Sequence, residues 1–175
     1  VTALAEIQQY LKGAPLVSFD YETSPDDEYR DVDRAALDAH KAHITGVSFS
    51  VAEGEGIYAP LAHRAGQNVD DPDGVWHWLD TAFFSNTAII KIAHNLSFEA
   101  MFTYAKGVVI LAPVYDTIAA AQMTLKSNTK YRGLGDSGLK TLVPELFDVE
   151  LPSFGEVTEG RHFDELDPQD PETVR

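Results

Sequence analysis

Apolar residues alternate with small or charged ones along Leu16-Val17-Ser18-Phe19-Asp20-Tyr21-Glu22-Thr23, the period-two pattern of a short strand. A second alternating run over residues 44–51 is followed by Glu53-Gly54-Glu55-Gly56 and a third run over 57–61, which predicts a β-hairpin. The first strand is expected to pair with that hairpin in a meander. Leu4, Ile7 and Leu11 space an amphipathic helix over residues 2–12, closed by Gly13-Ala14-Pro15. Residues 24–43 are polar and rich in Asp, and read as a long exposed excursion. Val75, Trp76, Leu79, Phe83 and Phe84 fall at helical spacing after Asp-Pro, so a helix is predicted over 73–84, with its aromatic stripe in the core.

The second half alternates strand and helix signals. Residues 88–93 read as a buried strand, Asn95 stands where it can cap a helix beginning at Leu96, and residues 108–114 read as another buried strand. A helix is predicted from Asp116 through Leu125, then a polar loop over 127–135. Asp136 or Ser137 is expected to cap a further helix carrying Leu139, Leu142, Val143 and Leu146. From Pro152 onward the chain is acidic and loop-like, and residues 171–175 look like a helix just begun. Strands first in a meander, then alternating with helices, predict an α/β fold: a mixed central sheet flanked by helices, with the first strand central.

That order concentrates the candidate chemistry. Residues i and i+2 of a strand share a face, so Asp20 and Glu22 project together. Two adjacent carboxylates repel unless a cation or proton lies between them. A bare D-x-E is also how a solvated strand end reads, and the pair alone does not decide. With the first strand central, the start of the Asn95 helix lies beside its end and brings Glu99 near. Three converging carboxylates suit hard cations such as Mg²⁺ or Mn²⁺. His40 and His43 have a spacing that zinc can use, but no further ligand accompanies them, and they read as solvated.

The totals narrow the function classes. With 175 residues, 44% of them hydrophobic, the chain fits a single domain over 1–175. There is no cysteine, hence no disulfide or thiolate metal site, and no apolar run reaches the length of a membrane span. It opens at Val1, as a piece of a longer protein would. A net charge of −15 argues against a surface that grips duplex DNA broadly. Bound cations can reverse that charge within one cleft, so chemistry on a phosphodiester stays open.

Several segments together resemble the DEDD, or DnaQ-like, 3′–5′ exonucleases, most closely the proofreading domain of family A DNA polymerases. Phe19-Asp20-Tyr21-Glu22-Thr23 is similar to the first exonuclease motif, and His94-Asn95-Leu96-Ser97-Phe98-Glu99 to the second. The segments 45–50 and 57–63 resemble the hairpin of that domain, Tyr115-Asp116-Thr117 the D-T that opens its next helix, and Gly138-Leu139-Lys140-Thr141-Leu142 a later helix. The resemblance covers residues 14–175 and implies an RNase H-like fold and two divalent metal ions, Mg²⁺ or Mn²⁺. The implied ligands and catalytic residues are Asp20, Glu22 and Glu99, with Thr23 and Asn95 at the substrate. It also implies a single-stranded 3′ end of DNA as substrate, nucleoside 5′-monophosphate as product, a polymerase domain C-terminal in the parent chain, and a bacterial or phage-infected cytoplasm.

Two departures bear on activity. Glu99 stands where the family has Asp. The third motif, which supplies a fourth carboxylate and a water-orienting Tyr or His, is not found before Arg175, so the domain reads as incomplete at its C-terminal end. Asp164, Asp167 and Asp170 are the acids nearest that position, and they read instead as turn and helix starts. Lys130, Tyr131 and Arg132 are candidate backbone contacts. The isolated chain is therefore expected to be weak or inactive. Alternatives are a silent domain that channels DNA within a polymerase, and an aspartyl phosphatase, which wants D-x-D where Glu22 stands.

Overall fold

The computed structural model describes residues 1–125 and 137–171. Strand β1 (Leu16–Pro25) lies at the centre of a five-stranded sheet. Strand β2 (Ala42–Ser50) pairs with it antiparallel, placing Phe19 opposite Phe49 and Glu22 opposite Gly46, and β3 (Ile57–Pro60) lies antiparallel outside β2. On the other side β4 (Ile90–Ala93) is parallel to β1, and β5 (Val114–Asp116) is the parallel edge strand. The meander, the mixed sheet and the central first strand are as the alternating pattern predicts.

One face of this sheet is the core. Val17, Phe19 and Tyr21 of β1 are buried with Val47 and Phe49 of β2, against Ile7 and Leu11 of α1 (Leu4–Leu11). Helix α2 (Pro72–Trp78) starts where the Asp71 side chain accepts the Gly74 N–H, with proline in its first turn. It continues as a wider π-turn over Leu79–Phe84, which turns Phe83 and Phe84 edge-on to Phe19 at 5.8 and 5.4 Å. The aromatic stripe is core, as its spacing suggests. Helix α3 (Leu96–Ala105) follows β4, buries Phe102 in the same core, and ties the Tyr21 hydroxyl to Thr103 Oγ1 at 2.8 Å. Among the described residues the remaining helices are α4 (Thr117–Thr124), α5 (Leu139–Phe147) and α6 (Phe154–Thr158). Among the described residues no helix is long and apolar enough to cross a membrane.

Four expectations are corrected. Strand β1 runs to Pro25, and the polar excursion is not simply exposed, because two 3₁₀ turns, Asp27–Tyr29 and Ala35–Leu37, fold it back and bury Ala35. Residues 108–113 are not a strand. Gly107 turns the chain at positive φ, Pro113 has no N–H for a ladder, and only Val114–Asp116 pairs with β4. Helix α5 has Gly138 at its N-cap with no side-chain cap, so Ser137 does not fill that role. The acidic stretch after Pro152 forms α6 and a 3₁₀ turn over Phe163–Glu165, with Phe163, Asp164 and Leu166 buried. The loop at 127–135 with Lys130, Tyr131 and Arg132, the candidate cap Asp136, and residues 172–175 of the helix start lie outside the described residues.

Candidate active site

The second face of β1 carries what the first cannot hold. Alternation puts Ser18, Asp20 and Glu22 there, opposite Ser50, Ser48 and Gly46 of β2. They floor a cleft of about 720 Å³ whose walls include Tyr58, His94, Thr117, Leu139 and Phe163. Parallel strands β1, β4 and β5 end toward it, the usual place for a site in an α/β sheet.

Glu99 enters from α3. Its side chain is 1% exposed, and its carboxyl meets that of Asp20 within hydrogen-bonding reach. Glu99 Oε2 is buried without a hydrogen-bond donor, and His94 Nε2 is likewise buried without a partner. The His94 ring is oriented by Thr117, whose hydroxyl lies 2.8 Å from Nδ1 and itself donates to the Ala93 carbonyl at 3.3 Å. Orphaned buried acceptors of this kind call for an unseen donor or cation.

Electrostatics points the same way. Burial pushes Glu99 above the ordinary carboxylate range, desolvation at the cleft floor pushes Asp20 the same way although that residue stays exposed, and their mutual contact lets them share a proton when no cation is present. Burial, then the charge of Asp20, pushes Glu22 up to about 7, with Lys140 opposing. The structure thus brings Glu99 against Asp20 and keeps Glu22 beside Asp20. An all-oxygen donor set with an open side suits a hard divalent cation. Closure is incomplete, however: among the described residues no three His, Asp or Glu side chains surround a single point.

A pH dependence follows. Glu22 titrates near 4.5 when unfolded and about 7 when folded, so its contribution is full below 4.5 and lost as pH rises through 7. Metal-free protein is therefore expected to lose up to about 3 kcal/mol of stability from this group between pH 5 and pH 8. Millimolar Mg²⁺ should restore stability at pH 8 and do little at pH 5, which thermal melts with and without chelator will read.

Asp116 is the residue that motif matching undervalued. The D-T pattern marks it as the start of α4, and its Oδ1 does accept the Ile118 N–H at 3.0 Å. The same carboxylate also accepts the N–H of Asn95 at 3.0 Å and of Leu96 at 3.1 Å, so it caps α3 and fixes the helix that delivers Glu99. Asn95 holds the N-cap position but in the left-handed region, φ 73, and its side chain takes the Ser97 hydroxyl rather than capping the helix N–H groups. Asp116→Ala is expected to cost about 1–2 kcal/mol through lost caps, measurable by urea unfolding.

The other candidates fall as follows. Asn95 is exposed and, unlike its neighbour His94, does not line the cleft. Thr23 is buried and its hydroxyl donates to the Ala36 carbonyl at 2.6 Å, so it ties down the excursion and does not line the cleft. His43 bonds Asp26 at 2.9 Å while His40 is exposed, and the two do not form a metal pair. Asp164 is buried in ion pairs with Arg30 and Arg64, and Asp167 and Asp170 are exposed away from the cleft.

The family model for the 3′–5′ exonuclease of family A DNA polymerases matches residues 1–159. DNA polymerase I of Chloroflexus aurantiacus is 27% identical over 151 residues, covering 86% of this chain and 14% of the polymerase, so the chain spans a small part of that relative. Among solved structures, the EXO domain of Aedes aegypti Nibbler superposes with a TM-score of 0.70 at 12% identity, covering 100% of this chain and 78% of that one. NrnC of Brucella melitensis with bound Mg²⁺ gives 0.58 at 22% identity, covering 87% and 62%. These structural likenesses establish the RNase H-like exonuclease fold. With most of its length matched by the family model, the chain belongs to the 3′–5′ exonuclease family found in DNA polymerase I.

Proposed function

We propose that this domain is a proofreading-type 3′–5′ exonuclease that hydrolyses terminal phosphodiesters of single-stranded DNA and releases nucleoside 5′-monophosphates. The observation that carries the reading is Asp20 and Glu22 side by side on the floor of an open cleft, with the buried Glu99 carboxyl against Asp20, raised pKa values and an unsatisfied Glu99 oxygen. Asp20, Glu22 and Glu99 would hold two divalent ions, Mg²⁺ or Mn²⁺. When bound, these supply an activated water and offset charge on the phosphoryl group. Asp20, which lies beside both Glu22 and Glu99, would serve both ions. Glu22 would hold the ion that supplies the activated water, and Glu99 would hold the other. Asn95, exposed next to the cleft-lining His94, would meet the incoming strand. Thr23 acts indirectly, by keeping the excursion beside β1.

A polymerase domain in the parent chain, and a bacterial or phage-infected cytoplasm as its setting, fit this reading. Activity of this chain alone is expected to be weak, because the described carboxylates do not close around one point. That same observation favours a second reading, a silent domain that channels DNA. Incubation with 5′-labelled single-stranded DNA and Mn²⁺ decides between them. Stepwise shortening from the 3′ end supports the nuclease. Intact substrate, from folded protein that also fails to bind Mn²⁺, supports the silent domain.

A further inference from the structure

The hydroxyl of Tyr58 occupies a place that the sheet would otherwise give to a side chain. Gly46 stands directly opposite Glu22 in the β1–β2 ladder. Side chains at such positions share a face, with Cβ atoms about 4.5–5.5 Å apart. A Cβ on Gly46 would lie 2.0 Å from Tyr58 Oη, so the phenol oxygen fills that gap next to Glu22. Tyr58 pairs with Ser48, which pairs with Asp20, and the ring therefore leans along the cleft face of the sheet. Only glycine at position 46 permits this arrangement.

Hydrogen bonding fixes which way the hydroxyl points. His63 Nδ1 lies 2.9 Å from the Leu166 carbonyl oxygen, which can only accept, so Nδ1 carries the proton. In neutral His63 the other nitrogen, Nε2, then accepts from the Tyr58 hydroxyl at 2.8 Å. The phenol proton is committed to His63, so Tyr58 has no donor left for Glu22, whose charge acts on it from β1. Without a donor from Tyr58, the Glu22 carboxylate is left to find its partner in the cleft that it lines. Leu166 and Phe163 pack on Tyr58 in a small cluster of their own, and Phe163 also lines the cleft. The stretch after α6 thereby reaches the carboxylate row through one histidine and one tyrosine.

We propose that Tyr58, oriented by His63 and the Leu166 carbonyl, is a positioning residue that aims the Glu22 carboxylate at a cleft-bound divalent cation. This rests on the metal-dependent reading above. The test measures Mn²⁺ affinity, by the free-ion signal in electron paramagnetic resonance, for the wild type, Tyr58→Phe, Glu22→Gln and the double variant. Tyr58→Phe should weaken binding about tenfold, the scale of losing a ligand's supporting partner, in protein that stays folded at the assay temperature although the unpartnered His63 Nε2 lowers its melting temperature. In the Glu22→Gln background it should add nothing, because its route is gone. Wild-type affinity in Tyr58→Phe, or an equal loss in both backgrounds, overturns the proposal. If the wild type binds no Mn²⁺, the metal-dependent reading fails by itself. The Glu22 carboxyl ¹³C resonance, identified by its loss in Glu22→Gln, then decides: a shift in Tyr58→Phe supports the positioning contact, and an unmoved signal refutes it.

Discussion

Asp20→Asn is expected to reduce 3′-end shortening by roughly 10²–10³-fold, the scale of losing one preorganised charge-stabilising group, while leaving the metal-free protein at least as stable as the wild type. The substitution is nearly isosteric, so packing is kept and only the charge is removed. That charge is one of the causes that push both Glu22 and Glu99 upward. Removing it relieves two repulsions in the apo state and deletes the central ligand in the loaded one. The opposite signs separate a functional role from a structural one. Shortening assays with Mn²⁺, paired with thermal melts in chelator at pH 8, read both. A melting temperature that falls along with activity would assign Asp20 to the fold instead.

The reason these two effects can be forecast is that the carboxylate row was legible in the chain. Asp20 and Glu22 sit two apart in a run whose intervening residues, Phe19 and Tyr21, are unmistakably core, so one alternation specifies both faces. Glu99 followed from topology, since a helix after a parallel neighbour of a central strand must begin near that strand's end. Residues 108–114 show the limit of such reasoning. An apolar run says that a segment is sheltered, not that it is extended, and Gly107 and Pro113 settle its backbone locally. The pattern could not show that Asp116 serves two helices, because a cap reads only forward along the chain while its second set of donors lies 20 and 21 residues earlier.

Burial of charge was the least legible feature. Asp164 stands in a stretch that reads as acidic and solvated. Its partners Arg30 and Arg64 are 134 and 100 residues away, so no local window could pair them. The Tyr58–His63 pair is close in sequence, but its meaning depends on Gly46 and Leu166, which only the folded register brings in. Long-range polar contacts of this kind carry no periodicity.

Asp164→Ala is expected to cost about 3 kcal/mol, at the low end for a broken buried ion pair because Arg64 is half exposed. That corresponds to a fall of roughly 10 °C in melting temperature for a domain of this size. The carboxylate is fully buried and grips Arg30 with both oxygens at 2.9 and 3.0 Å, and Arg64 Nε at 2.7 Å. Removing it leaves two guanidinium groups facing each other without their shared counter-charge. The backbone of Asp164 holds on to Ser24 Oγ and the Arg64 N–H, so the segment loosens without detaching. The pH profile identifies the cause. Burial alone would raise this carboxyl, but hydrogen bonds from Arg30 and Arg64 hold it below its ordinary 3.8, so its stabilisation is complete above that value and lost as pH falls below it. The gap between variant and wild type should stay constant from pH 5 to pH 8 and narrow below about pH 4. That trend is opposite to the one set by Glu22, so metal-free wild-type protein should be most stable near pH 5, losing the arginine clamp on the acid side and cleft protonation on the other.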